Sequence, residues 1–230
     1  MSAPSAKKLI LHNFYRSSCS SRIRIALHHK QIPFDYVSVN INTGEQNSEA
    51  YIKLNPSQSV PTLVVPGENG GPPSYITQSF AALEWLEEAY PNQYPLLPTG
   101  STPQAMLSRA RIRSLVQIIV GDVQPITNTK VQKFIRGFGY DSAKWTAEWY
   151  AVGLRAYESV IHDIARKYSV GDDVTMADAC LAPAIWNCEA VGLSLDEFPT
   201  VKKVYAELMQ LEAFQNSHWK AQVDCPEDLK

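Results

Sequence analysis

Over its first ninety residues the chain alternates short apolar runs of strand length with apolar positions at helical spacing. Lys8 to Phe14 reads as a strand, Ser21 to Lys30 as a helix carrying Ile23, Ala26 and Leu27, and Phe34 to Val39 as a strand alternating apolar and polar residues. These three form a βαβ unit. A short helix over Ser48 to Leu54 has to stop before Asn55-Pro56, because the residue before a proline is driven out of the helical region. Thr62 to Val65 and Tyr75 to Thr77 flank a Pro- and Gly-rich turn, Pro66 to Pro73, and read as a hairpin. Ser79 is then placed as the cap of a helix in which Phe80, Leu83, Leu86 and Tyr90 share a face. The order is βαβα followed by ββα.

Beyond Tyr90 the pattern changes. Pro91, Pro95, Pro98 and Pro103, with Thr99-Gly100-Ser101-Thr102, break the chain between two organisations. After them the strand signal vanishes. Trp145, Trp149, Val152, Ala156, Val160 and Ile164 step by three or four, as do Val201, Val204, Tyr205, Leu208 and Leu211, which predicts a helical bundle. Thr175-Met176-Ala177-Asp178 opens one of its helices as a capping box with Asp in the place of Glu. The expected organisation is an α/β domain over 1–90, a linker over 91–103 and an all-α domain over 104–230.

Composition narrows the function classes. Of the 230 residues 45% are hydrophobic and 19% charged, enough apolar surface for two cores and unlike a disordered chain. A net charge of -2 without a dense basic run gives no stripe for neutralising phosphates, so a nucleic-acid partner is not expected. No apolar stretch approaches the ~20 residues of a membrane span, and Met1 to Lys8 carries no leader pattern, so the expected location is cytoplasmic. Cys19, Cys180, Cys188 and Cys225 are irregularly spaced and form no Cys-x-x-Cys, which suits reduced thiols and predicts no metal site.

The densest polar cluster is Arg16-Ser17-Ser18-Cys19-Ser20-Ser21-Arg22, between the first strand and the first helix. A helix N-terminus offers unpaired N–H groups and the positive end of the dipole, which suit a thiolate or carboxylate. The same serines also suit plain capping of the helix, and the two readings stand side by side at this level. Arg22 occupies the position where a dithiol redox motif would carry its second cysteine, so a working sulfur comes from a ligand or from Cys19 alone. Two further places suit either a plain strand start and helix cap or contacts to a peptide-like ligand. Val60-Pro61 stands immediately before a strand, where a cis bond would turn the Val60 backbone outward, and Gln78-Ser79 opens a helix.

Taken together, Ser17-Ser18-Cys19-Ser20-x-Arg22-Ile23-Arg24-Ile25-Ala26-Leu27, Leu54-Asn55-Pro56, Val60-Pro61-Thr62-Leu63, Gln78-Ser79, Gln124-Pro125, the run from Val170 to Asp178, and Glu212-Ala213-Phe214-Gln215 with Ser217-His218 resemble the zeta class of the glutathione transferase family. The match runs in order along nearly the whole chain. The resemblance implies a thioredoxin-like glutathione-binding domain followed by a helical bundle, glutathione as cofactor, a homodimer, and isomerisation of maleylacetoacetate in phenylalanine and tyrosine breakdown. By it Ser17 would donate to the glutathione sulfur with Ser18 and Cys19 beside it. Gln46, Val60, Gln78 and Ser79 would hold the peptide, and Gln124 and Asn128 would complete the site.

Two positions depart from the class pattern. Ser21 stands where tryptophan is usual, and Ala190 where an arginine holds a substrate carboxylate. Losing a guanidinium removes a charge-assisted contact, for which Arg16, with Gln124, is the substitute substrate-binding candidate. The alternatives are therefore a transferase that conjugates or dehalogenates another small electrophile, and a non-enzymatic glutathione-binding regulator.

Overall fold

The computed structural model describes residues 8–230; residues 1–7, on which the expectation of a leaderless start partly rests, lie outside it. The chain divides into two compact units, one running up to Gln93 and including Asn216–Lys230, the other Tyr94–Gln215. The last fifteen residues thus group with the α/β unit and not with the helical domain expected over 104–230. The reason lies in their partners: Arg24, fully buried, donates to the carbonyl of Ser217, and Asp224 accepts from the amide of Tyr15.

The first unit contains β1 (Leu9–Asn13), α1 (Ser18–His29), β2 (Phe34–Ser38), α2 (Glu49–Ile52), β3 (Thr62–Val65), β4 (Ser74–Thr77) and α3 (Ser79–Ala89). Its sheet runs in the order β2-β1-β3-β4, with β1 and β2 parallel and the other pairs antiparallel. That is the mixed sheet of a βαβ unit joined to a hairpin, as the alternation predicted. Leu9, Leu11 and Asn13 share the buried face of β1, and Leu11, Ile23, Leu27, Leu63, Leu83 and Leu86 are fully buried, each stabilising the fold by about 2 kcal/mol. The end of α1 is locked by Lys30, whose buried ammonium meets Glu87 at 2.6 Å and the carbonyls of Tyr90 and Gln93 at 3.2 and 3.1 Å.

The second unit is helical: α4 (Pro103–Gln117), a π-type segment Ile118–Val123, α5 (Gln124–Thr127), α6 (Thr129–Gly137), α7 (Ser142–Ile161), α8 (Met176–Ala190) and α9 (Pro199–Leu208), with α10 (Glu212–Ser217) straddling the division. The π segment sits directly before Gln124-Pro125, where proline offers no amide to the carbonyl four residues back and the ladder widens. Helical spacing located α7, and the structure decides which of its apolar stripes is buried. Trp149, Val152 and Val160 are exposed, while α7 buries Tyr150, Leu154, Tyr157 and Ile161, a second stripe one residue further along. No helix among the described residues is long and apolar enough to cross a membrane.

Candidate active site

The helix α1 begins at Ser18, three residues before the expected start, which makes Ser17 its cap. Ser17 has extended backbone (φ -76°, ψ 114°), and its Oγ accepts from the amide of Ser20 at 3.2 Å. An accepting hydroxyl keeps its own hydrogen, so Ser17 caps the helix and still holds a proton to donate. The capping and ligand readings are thus compatible. Ser18 and Cys19 lie on the first turn, both half-buried, and that turn contains no acidic residue.

Arg22, one turn on, joins this terminus to another. Its Nη1 donates to Ser79 Oγ at 3.0 Å and lies 3.6 Å from Cys19 Sγ. Only 1% of Arg22 is exposed and its Nε has no hydrogen-bond partner, so a buried guanidinium here is answered by a hydroxyl and a thiol. A cation in that setting favours an anion nearby. Ser79 proves to be the first residue of α3 and not its cap. Gln78 takes the cap position with no side-chain bond and a positive φ of 71°, a strained conformation for a side-chain-bearing residue of the kind that clusters at functional sites.

Val60-Pro61 is cis. The turn is braced from α2 and the loop after it: Tyr51 Oη lies 2.8 Å from the carbonyl of Ser59 and 3.0 Å from Thr62 Oγ1, and Asn55 Nδ2 donates to the same two oxygens at 2.8 and 3.1 Å. Gln46 lies on a short turn after Gly44, and its Oε1 is buried without a partner.

Arg16 is half-buried, its guanidinium carbon 4.4 Å from the centre of the Trp219 ring. Arg24, whose role the sequence did not reveal, binds the strand end and the turn at once: Asn13 Oδ1 at 2.8 Å, the carbonyls of Phe14 and Tyr15 at 3.3 and 3.0 Å, and Ser21 Oγ at 2.7 Å. Burial lowers its pKa to about 10, still far above neutrality, so it stays charged. Its signal was a second arginine within the otherwise apolar middle of α1, a position that only a complete set of buried acceptors makes tolerable.

The remaining candidates belong to the second unit. Gln124 opens α5, and Asn128 caps α6, its Oδ1 accepting from Lys130 and Val131 at 2.9 and 3.1 Å. Asn128 Nδ2 donates to Pro125, so a role toward a ligand requires Asn128 to exchange bonds it already makes. Ala190 is the exposed last residue of α8.

Comparison with known proteins gives this arrangement a context. Residues 16–89 match the family model for the glutathione S-transferase N-terminal domain, and residues 150–212 the model for its C-terminal domain. Maleylacetoacetate isomerase maiA of Aspergillus fumigatus is 44% identical over 100% of this chain and 98% of its own length. A bacterial maleyl pyruvate isomerase described as a zeta-class glutathione S-transferase superposes with a TM-score of 0.84 at 34% identity, over 94% of this chain and all of that one. The chain belongs to the glutathione S-transferase family, in its zeta class. A structure of maleylacetoacetate isomerase from Anaeromyxobacter dehalogenans, with glutathione bound in the active site, aligns at a TM-score of 0.85 and 34% identity over 95% of this chain and 98% of that one.

The residues of this transferase-family chain suit glutathione, an anionic tripeptide with a thiol. Two helix N-termini, α1 and α3, carry no acidic residue in their first turns, and a buried cation bridges them. Gln46 Oε1 is a buried acceptor without a donor, and the Arg22 Nε a buried donor without an acceptor. Such atoms call for polar partners that a peptide ligand supplies.

Proposed function

We propose that the chain catalyses the glutathione-dependent cis–trans isomerisation of maleylacetoacetate to fumarylacetoacetate. The single observation that carries this reading is the open N-terminus of α1, with a serine hydroxyl at its cap, a half-buried thiol on its first turn and a buried arginine behind it. Glutathione supplies a nucleophilic thiol that adds to the cis double bond and leaves once the resulting single bond has turned. Free, such a thiol is about 3% ionised at neutral pH, and lowering its pKa by about two units raises that fraction roughly 20-fold.

Ser17 holds the sulfur by donating its hydroxyl proton, the N–H groups of α1 favour the thiolate, and Ser18 and Cys19 line the same turn. The Val60 backbone pairs with the peptide, Gln46 grips it from the side, and Gln78 and Ser79 take the γ-glutamyl end at the start of α3. Arg16 receives the substrate carboxylate in the role that an arginine at position 190 would have had, and Gln124 and Asn128 of the helical unit are the further candidates for contact with glutathione or substrate. The α/β unit is the glutathione-binding domain and the helical unit shapes the acceptor pocket. The same reading places the enzyme in the cytoplasm as a homodimer acting in phenylalanine and tyrosine breakdown.

Conversion of maleylacetone to fumarylacetone, followed with and without glutathione in the wild-type chain and in Ser17→Ala, tests the reading. Fast isomerisation that requires glutathione and collapses in the variant is expected. Tight glutathione binding with no isomerisation would sink it. Ala190 gives a second reading its foothold: a transferase that kept the thiol site and changed its acceptor would conjugate small electrophiles without isomerising maleylacetone.

A further inference from the structure

The segment after α10 makes its bonds with the turn that leads to Ser17. Asp224 Oδ2 accepts from the amide of Tyr15 at 3.1 Å and from Ser38 Oγ at 2.8 Å, and Oδ1 accepts from the Tyr36 hydroxyl. The carbonyl of Ser217 accepts from Arg24 Nε and Nη2 at 3.3 and 3.2 Å. That same guanidinium donates to the carbonyl of Tyr15. Both backbone groups of Tyr15, two residues before Ser17, are therefore held by a network that runs through the C-terminal segment.

Side chains repeat the pattern. Phe14, Tyr15 and Cys225 form a buried cluster against which Val60, Ile41 and Trp219 pack, so the cis-proline turn and the Ser17 turn rest on a common support. The Trp219 ring, 6.5 Å from that of Tyr15, lies under the Arg16 guanidinium.

We propose that residues 217–225 form a strap that positions the Arg16–Ser17 turn, Asp224 fixing Ser17 through the backbone of Tyr15 and Trp219 fixing Arg16. The Trp219 half rests on the isomerase reading, because it needs Arg16 to meet a substrate carboxylate. The Asp224 half needs only bound glutathione. A hydroxyl-to-thiolate hydrogen bond is sensitive to distance and angle, and a misplacement near 1 Å costs on the order of 100-fold in rate. A ring face against Arg16 restricts a side chain rich in rotamers before substrate arrives.

The test uses the full chain and two readouts. The first is the pH titration of the ultraviolet absorbance of the bound glutathione thiolate. In Asp224→Ala the bound thiol's pKa is expected to rise by about one unit, and in Asp224→Asn, which keeps an acceptor for the Tyr15 amide, to return most of the way. The second readout is steady-state turnover of maleylacetone. In Trp219→Leu, KM is expected to rise about fivefold with the thiol titration moved less than in Asp224→Ala, and Trp219→Phe to restore KM. If Asp224→Ala does not fold, the double variant Tyr36→Phe with Ser38→Ala, which loosens Asp224 without touching the turn, carries the first readout in the same direction. An unchanged titration and an unchanged KM in folded variants would overturn the strap. A wild-type chain that binds glutathione without isomerising maleylacetone sinks the isomerase reading alone, and the titration still decides the role of Asp224.

Discussion

Helix starts are completed in two ways, which set three helices of the helical unit apart from α1 and α3 of the α/β unit. In the helical unit the protein supplies its own carboxylate to three N-termini. Asp141 accepts from Ala143 and Lys144 at the start of α7, Glu158 reaches from α7 to Thr200 and Val201 at the start of α9, and Asp178 answers Thr175 and Ser169 at the start of α8. In the α/β unit, α1 and α3 have no acidic residue in the first turn, and only a serine hydroxyl caps α1. A terminus closed by a carboxylate stabilises the fold; one left without an anion can bind a ligand's. The contrast is clearest between Ser17 and Asp178: one half-exposed at an open terminus, the other fully buried inside a completed capping box.

Substitution at each terminus separates the two uses. Ser17→Ala is expected to lower glutathione-dependent turnover about 10²- to 10³-fold, the scale of losing one donor to a developing anion, while costing stability only about 1 kcal/mol. Asp178→Ala should do the reverse. It leaves the amides of Ser169 and Thr175 buried without their acceptor and should cost about 3 kcal/mol in denaturant unfolding, with the folded fraction keeping its affinity for glutathione. Equal losses of stability in the two variants would break the contrast. A weaker form of the same test closes the α1 terminus with a protein carboxylate. Ser18→Asp is expected to raise the pKa of the bound glutathione thiol by about one unit, read by thiolate absorbance, while leaving the melting temperature unchanged or slightly raised. A lowered thiol pKa would contradict an anion site there.

How far the sequence revealed this depends on the range of the interactions. The order of elements along the chain and the two organisations followed from local patterns: strand-length runs, helical spacing, and the prolines between Pro91 and Pro103. The Thr175–Asp178 box was legible because both partners lie within one turn, and the structure completes it at 2.8 Å. The Ser17 cap was not, because four serines in five residues offer several equivalent starts, and only the Ser20 amide chooses among them. The bridge from Arg22 to Ser79 spans 57 positions, and the tie from Asp224 to Tyr15 spans 209. No periodicity encodes such pairs. The spacing of Trp149, Val152 and Val160 gave the helix and not its buried face, for a related reason: two apolar stripes on α7 satisfy the same spacing, and only packing decides which is buried.

The smallest expected effect extends the comparison from single termini to whole units. Three histidines with lowered pKa, His12, His29 and His218, all belong to the α/β unit. Burial is the main cause for each; the Lys30 charge adds to it for His29, and Lys220, Arg16 and Arg24 for His218, holding both at about 4. Folded imidazoles that resist protons oppose unfolded ones that take them up at the ordinary value of 6.5, so their contribution is intact above that pH, fades as pH falls toward 4, and changes no further below it. In the helical unit, burial raises the pKa of Asp178, so protonation in acid carries no such penalty there. Because the histidines are only partly buried, solvent screening keeps each contribution small. Amide exchange compared between pH 7 and pH 5 on peptides from 9–89 and 142–208, corrected for the intrinsic pH dependence of exchange, should therefore show protection falling first in the α/β unit. His29→Gln should remove part of that fall. An equal loss in both units would show that acid acts on the fold as a whole and not through the partly buried imidazoles of the α/β unit.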